Sequence, residues 1–285
     1  GAHTGRLDGL LALVPRFAVS AALLSGGDLD VPLVLGSGGR ARLPCDGRVI
    51  QGPAGRAVRV EVRGGELLTH SRAARRAGPF ELVDGDAEAG RLPVVHPLSG
   101  GAAVEGARAI LPGIEALRSA APELAAEAAA LAPVLVPVGG AKDVSHSASL
   151  KVARGCVWLT PVPFPLVIAE TIVHETSHLK FFYVEDEICL TDPDDPPRFE
   201  VPWRPDLRPI RAVLMGLHAW ARVLEWLRTM VDGPWGPPAR QRIAVLTEAT
   251  QAASAIAAGA DGLTPAGHAV TEALIALAAG SCRGA

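Results

Sequence analysis

The residues best suited to chemistry in this chain are His174, Glu175 and His178, written His-Glu-Thr-Ser-His in a stretch that reads as helix. Histidines at i and i+4 on a helix lie one turn apart with both imidazoles on the same side, the bite a metal ion requires. His and Glu are scarce enough here that the pattern would arise by chance on the order of one time in a hundred. Two surface histidines on an ordinary helix are the plain alternative. The flanking Ile168, Ala169, Ile172, Val173 and Leu179 weigh against it, because unpartnered imidazoles in apolar surroundings are costly. A metal centre is the expectation.

Two histidines do not complete a coordination sphere, so a third protein ligand must come from elsewhere. A metzincin continuation would need Gly at position 181 and His at position 184, where this chain has Phe181 and Val184. A second helix, from about Ile210 to Val231, offers one polar stripe of Arg211, His218, Arg222, Glu225 and Arg228 on an otherwise apolar circumference. His218 is the expected third ligand, with Glu225 as its rival. A His, His, carboxylate set suits ferrous iron, whereas three histidines serve iron or zinc. The competing role for His218 is a hydrogen-bonded core histidine, and Arg211 and Arg222 have the alternative of plain ion pairing.

Between the two helices, residues 191–209 hold six prolines and four aspartates and read as a loop without regular structure. Arg204 and Arg208 sit in its stiff end, between Pro202 and Pro209. Arginine is the natural clamp for a carboxylate, and the competing role is to pin the loop to Asp194, Asp195 or Asp206.

The elements that must position these residues follow from the surrounding pattern. Residues 57–63 alternate as a half-exposed strand, and residues 31–98 read as β-rich. Residues 103–132 are helical, with interruptions expected at Pro112 and Pro122. Short strands are expected at 134–138 and 152–159, joined by a Ser-rich turn around His146. Pro161, Pro163 and Pro165 then lead into the motif helix, about Leu166 to Val184. Helical regions at 238–258 and 265–279 close the chain. The expected class is α+β: a zincin-like metal-binding half, residues 134–285, with a small sheet and a second ligand helix. Residues 1–133 are expected to form a β-rich and helical N-terminal region.

Composition narrows the classes further. The 285 residues carry a net charge of −3 with no basic run and 4 % aromatic content, which argues against nucleic acid. Cys45, Cys156, Cys189 and Cys282 are widely spaced with no CxxC pair, unlike a zinc knuckle or a disulfide framework, and a reducing cytoplasm is the expected setting. The Leu- and Ala-rich residues 1–24 are interrupted by Asp8 and Arg16 at helical spacing, so an amphipathic or core helix is expected there, with neither secretion nor a membrane span.

Over residues 134–230 the chain resembles bacterial HExxH-motif proteins associated with modification of ribosomally made peptides, described as α-ketoglutarate-dependent peptide β-hydroxylases. The resemblance is carried by the strand at 134–138, residues 155–159, the His174 to His178 motif, the turn at 190–194, and Pro202, Trp203, Arg204, Pro205 and Asp206 with Arg208 and Pro209 before the helix containing Gly216. It implies iron(II), α-ketoglutarate and dioxygen, and a precursor peptide as partner. It also implies that His174, His178 and a third group, here His218, hold one face of the iron. Arg204, Arg208 or Arg222 would bind the distal carboxylate of α-ketoglutarate, and Glu175 would orient a ligand or the co-substrate. The strongest competing function is a zinc metallopeptidase with Glu175 as general base. Lys180, placed where such peptidases usually have an apolar residue, counts against it. A third possibility is a non-catalytic peptide-binding protein with a structural ion.

Overall fold

The structure, a computed structural model, describes residues 21–22, 24–34, 40–43, 49–51, 57–63, 66–67, 75–77, 80–82, 96–98, 100–140, 145–151 and 154–280. It is a mixture of helices and small sheets, the α+β class. Contacts divide the chain into two compact units, one of residues 1–115 with 125–168, the other of residues 116–124 with 169–285.

The first unit holds the strands β1 to β11. β1 (Leu29–Val34), β4 (Ala57–Arg63) and β5 (Glu66–Leu67) form an antiparallel three-stranded sheet. In β4, Val60 and Val62 are buried, the every-second-residue burial that the sequence alternation predicts. β2 (Arg40–Arg42) pairs with β3 (Val49–Gln51). The main sheet runs β10 (Ser147–Ala148), β11 (Cys156–Leu159), β9 (Val134–Gly139), β7 (Phe80–Leu82) and β6 (Arg75–Ala77), with β8 (His96–Pro97) also on β9. β9 lies parallel to β11 and β7, and both β9 and β11 are buried almost throughout. That explains their unbroken apolar text, since a central parallel strand has no wet face. Gly155 enters β11 at φ +83°, a conformation that favours glycine, and its carbonyl accepts a hydrogen bond from the Val134 N–H. Residues 152 and 153, the expected start of this strand, lie outside the described residues, as do residues 1–20 and 23 of the helix expected at 1–24; residues 21–22 and 24 of it are helical.

Helix α1 (Gly100–Ala120) runs through Pro112, where an interruption was expected. Ile110, Ile114 and Leu117 are buried on either side of the proline, and this packing outweighs one missing hydrogen bond. The chain does break at the second proline: α2 (Pro122–Leu131) begins on it, where a missing N–H is harmless.

The second unit is built on helices. α3 (Pro165–Glu187) carries the His-Glu-Thr-Ser-His motif. The stretch expected to be irregular contains a hairpin, β12 (Phe199–Val201) with β13 (Arg204–Arg208). Its prolines are compatible with pairing because a two-stranded ribbon has edges on which a missing N–H leaves no ladder bond unmade. α4 (Ile210–Thr229), α5 (Gly236–Ala258) and α6 (Pro265–Ala279) then pack together, α4 against both others. Their core joins Phe181, Leu190, Val201, Val213, Leu217 and Ala253, with Trp203 packed against it.

The start of α4 is fixed from a distance. No side chain of its own caps it; instead the nearly buried Asp195 accepts from the Ile210 N–H at 2.7 Å and from Arg198 at 2.7 Å. Asp192 caps the Asp194 N–H within the same turn, and its own N–H donates to the Gly262 carbonyl. The aspartate-rich text therefore encodes a turn that seats a helix.

Gly216 lets the hairpin close on α4: a Cβ there would sit 2.8 Å from the Trp203 ring. Gly216→Ala should lower stability by about 1–3 kcal/mol, the usual cost of overpacking, read as a shift in the urea midpoint. An unchanged midpoint would show that Trp203 does not hold this seat.

Candidate metal centre

α3 brings Glu170, His174 and His178 onto one face at successive four-residue steps. Ile168, Ala169, Ile172, Val173 and Leu179 of the same helix are all buried. The two other polar residues of the motif are absorbed by the helix itself. Buried Thr176 donates to the Ile172 carbonyl at 2.7 Å and buried Ser177 to the Val173 carbonyl at 2.7 Å. Their hydroxyls are satisfied and do not compete for the imidazoles.

His174 and His178 stand edge to face, with ring centroids 4.5 Å apart. With Glu175 they form a group in which one donor atom from each residue lies within 4.8 Å of the others. The Nδ1 atoms of both histidines are buried without a hydrogen-bond partner among the described residues. Burial holds the His174 imidazole well below its ordinary value of 6.5, and the charges of His178 and Arg242 push the same way. Burial also lowers His178, partly offset by the Glu175 carboxylate. Both rings are thus neutral near pH 7, the form that binds a metal. Two neutral imidazoles, each with a buried ring nitrogen lacking a partner and both close to one carboxylate, fit a cation.

His218 and Glu225 are not members of this donor group. His218 lies against Phe181, ring centroids 5.9 Å apart, and hydrogen-bonds with the Ser177 backbone while its Nδ1 is buried and unpartnered. Its pKa is lowered to about 4, by burial first and then by Arg222, Lys180 and His178. Glu225 accepts from Arg222 at 3.1 Å and is about half exposed. The polar stripe of α4 is otherwise spent on joining helices. Arg211 grips Glu185 of α3 with two bonds of 2.6 and 2.5 Å, and Arg228 donates to the carbonyls of Leu277 and Ala278 at the end of α6.

Arg204 is exposed on the hairpin, and Arg208 pairs with Asp206 at 2.8 Å. Arg198, rather than either of these, holds Asp195. The arginine that does stand beside the histidine pair is Arg242 of α5. It grips Glu170, one turn before His174, with Nε and Nη2 at 2.6–3.0 Å. Trp220 of α4 packs on His174 with centroids 4.3 Å apart, and the Arg242 guanidinium lies 5.7 Å from the same indole. Sequence reasoning missed all three residues. Only Glu170 left a signal, the repeat of the four-residue spacing; Trp220 and Arg242 reach the site through tertiary packing.

Among the described residues Cys156 and Cys189 form no disulfide, Cys45 and Cys282 lying outside them. No described helix is long and apolar enough to cross a membrane. No protein-family model matches the chain, and no curated protein does.

The depressed imidazoles set a pH dependence for the metal-free protein. Unfolded histidines titrate near 6.5, so below that pH the unfolded chain binds more protons than the folded one. The stability contributed is complete above about pH 6.5 and is lost as pH falls toward the folded value of about 4 at His218. Thermal midpoints should therefore drop between pH 7 and pH 4.5, and His218→Asn should flatten part of that slope. A midpoint independent of pH for both proteins would contradict this assignment.

Proposed function

We propose that the chain is an iron(II)- and α-ketoglutarate-dependent oxygenase that hydroxylates a side-chain β-carbon of a ribosomally made precursor peptide. The observation that carries the metal part is the neutral, partly orphaned His174 and His178 pair sharing one donor group with Glu175. The choice of reaction rests on the resemblance carried by residues 155–159, 190–194 and 202–209 around that pair.

In this reading His174 and His178 would hold the ion, and a zincin-like arrangement would place the motif helix along it. When bound, iron and the oxo-acid supply the oxidation of a C–H bond by dioxygen, with succinate and carbon dioxide as co-products. The chain's own residues do the rest. Burial keeps the imidazoles deprotonated, Trp220 covers one side of His174, and Glu175 orients the ligands bound between the histidines. The partner is a peptide in a reducing cytoplasm.

A zinc peptidase is the second reading, favoured by the burial of Glu175 within reach of both imidazoles, where a general base on a metal-bound water would stand. Anaerobic loading with iron(II), followed by oxygen, α-ketoglutarate and a co-encoded peptide, should release succinate and add one oxygen to the peptide mass. His174→Ala and His178→Ala should each abolish both signals and at least most of the bound iron. Cleavage of the peptide with zinc, lost in Glu175→Gln, would replace this proposal with the peptidase. Full metal retention with neither activity would leave a binding protein with a structural ion.

A further inference from the structure

A histidine that binds a metal is ordinarily aimed by a hydrogen bond at its second ring nitrogen. At His174, Nδ1 is buried and has no such partner among the described residues. Ring packing stands in its place. Trp220 of α4 lies against the imidazole with ring centroids 4.3 Å apart and planes tilted by 54°. An indole is rigid and fixed by two side-chain torsions, so its face restricts the rotation of the smaller ring beside it. The indole is itself held, because the Arg242 guanidinium of α5 lies 5.7 Å from its centroid. Arg242 in turn is fixed by Nε and Nη2 on the Glu170 carboxylate at 2.6–3.0 Å, and the Glu170 side chain is only 11 % exposed. Glu170 stands four residues before His174 on α3. The contacts thus form a closed circuit through three helices, from α3 to α5 to α4 and back to α3, which ties the His174 ring to its own helix.

We propose that Trp220 is a positioning residue for the metal centre: it holds the His174 imidazole in the orientation that lets both histidines share one ion, and the Glu170 and Arg242 pair steadies Trp220. This rests on the metal reading above and holds for either reaction considered there. The charge of Arg242 is felt at His174, so an arginine without its carboxylate would repel the ion. Glu170 therefore has two tasks, to orient the guanidinium and to offset its charge.

The test is titration of the metal-free full chain with cobalt(II), read by its visible ligand-field spectrum, with the thermal midpoint of each metal-free protein measured alongside. Trp220→Leu should weaken cobalt binding about 10-fold or more, the usual effect of losing a group that orients a ligand, and should shift the ligand-field bands. Trp220→Phe keeps an aromatic face and should recover most of the affinity and the wild-type bands. The double variant Glu170→Gln with Arg242→Gln, which strands no charge, should weaken cobalt about 2- to 5-fold and add nothing further on top of Trp220→Leu. It carries the test if Trp220→Leu does not fold. Wild-type affinity and bands in Trp220→Leu, or in the double variant where only that one folds, would overturn the positioning role even with a lowered thermal midpoint, since a merely structural tryptophan changes only the midpoint. Equal losses in Trp220→Leu and Trp220→Phe would overturn it as well, and additive losses would remove Glu170 and Arg242 from it. Failure of the wild type to bind cobalt would instead overturn the metal reading, and this one with it.

Discussion

A nitrogen taken out of water and given no hydrogen-bond partner costs about 1–3 kcal/mol, and α3 carries two of them one turn apart, on His174 and His178. Everything around the motif sharpens that demand. Ile168, Ala169, Ile172, Val173 and Leu179 of the same helix are buried, and the hydroxyls of Thr176 and Ser177 are turned back onto helix carbonyls at Ile172 and Val173. Protonation would relieve nothing, because burial and the charges of Arg242 and His178 oppose it at His174. A cation shared by both rings and the nearby Glu175 would suit the neutral form that burial favours.

The remainder of the second unit keeps this face in place. Asp195 seats the first residue of α4, the Arg211 fork locks α4 to the end of α3, and the bare backbone at Gly216 admits Trp203. α4 then delivers Trp220 to His174, and α5 delivers Arg242 to Glu170. Helices with long buried faces hold side-chain positions better than loops do, which is what a site needing fixed donors requires. The loops of this unit serve mainly to start helices.

How much of this was legible in the sequence depends on the range of the interaction. The motif, the helix beginnings near Pro165, Ile210 and Pro265, and the strands Val134–Gly139 and Cys156–Leu159 were readable, because proline position, i to i+4 spacing and apolar runs are local signals, whereas the parallel pairing of those strands was not. Pro112 was misread because burial of Ile110 and Ile114 outweighs the lost hydrogen bond, and the 199–208 hairpin because proline content masks a ribbon with free edges. The arginines of α4 looked like site residues, yet Arg211 and Arg228 reach Glu185 and the last carbonyls of α6, partners far away in sequence. Arg242 was invisible for the same reason: 72 residues separate it from Glu170.

The central claim is that His174 and His178 jointly hold one metal ion. X-ray absorption at the iron edge of the reconstituted protein tests it most directly, because imidazole rings give a distinctive outer-shell scattering pattern. One ion per chain with two imidazole ligands is expected, falling to one imidazole or to no bound ion in His178→Ala. A spectrum without imidazole scattering, or one identical in wild type and His178→Ala, would contradict it.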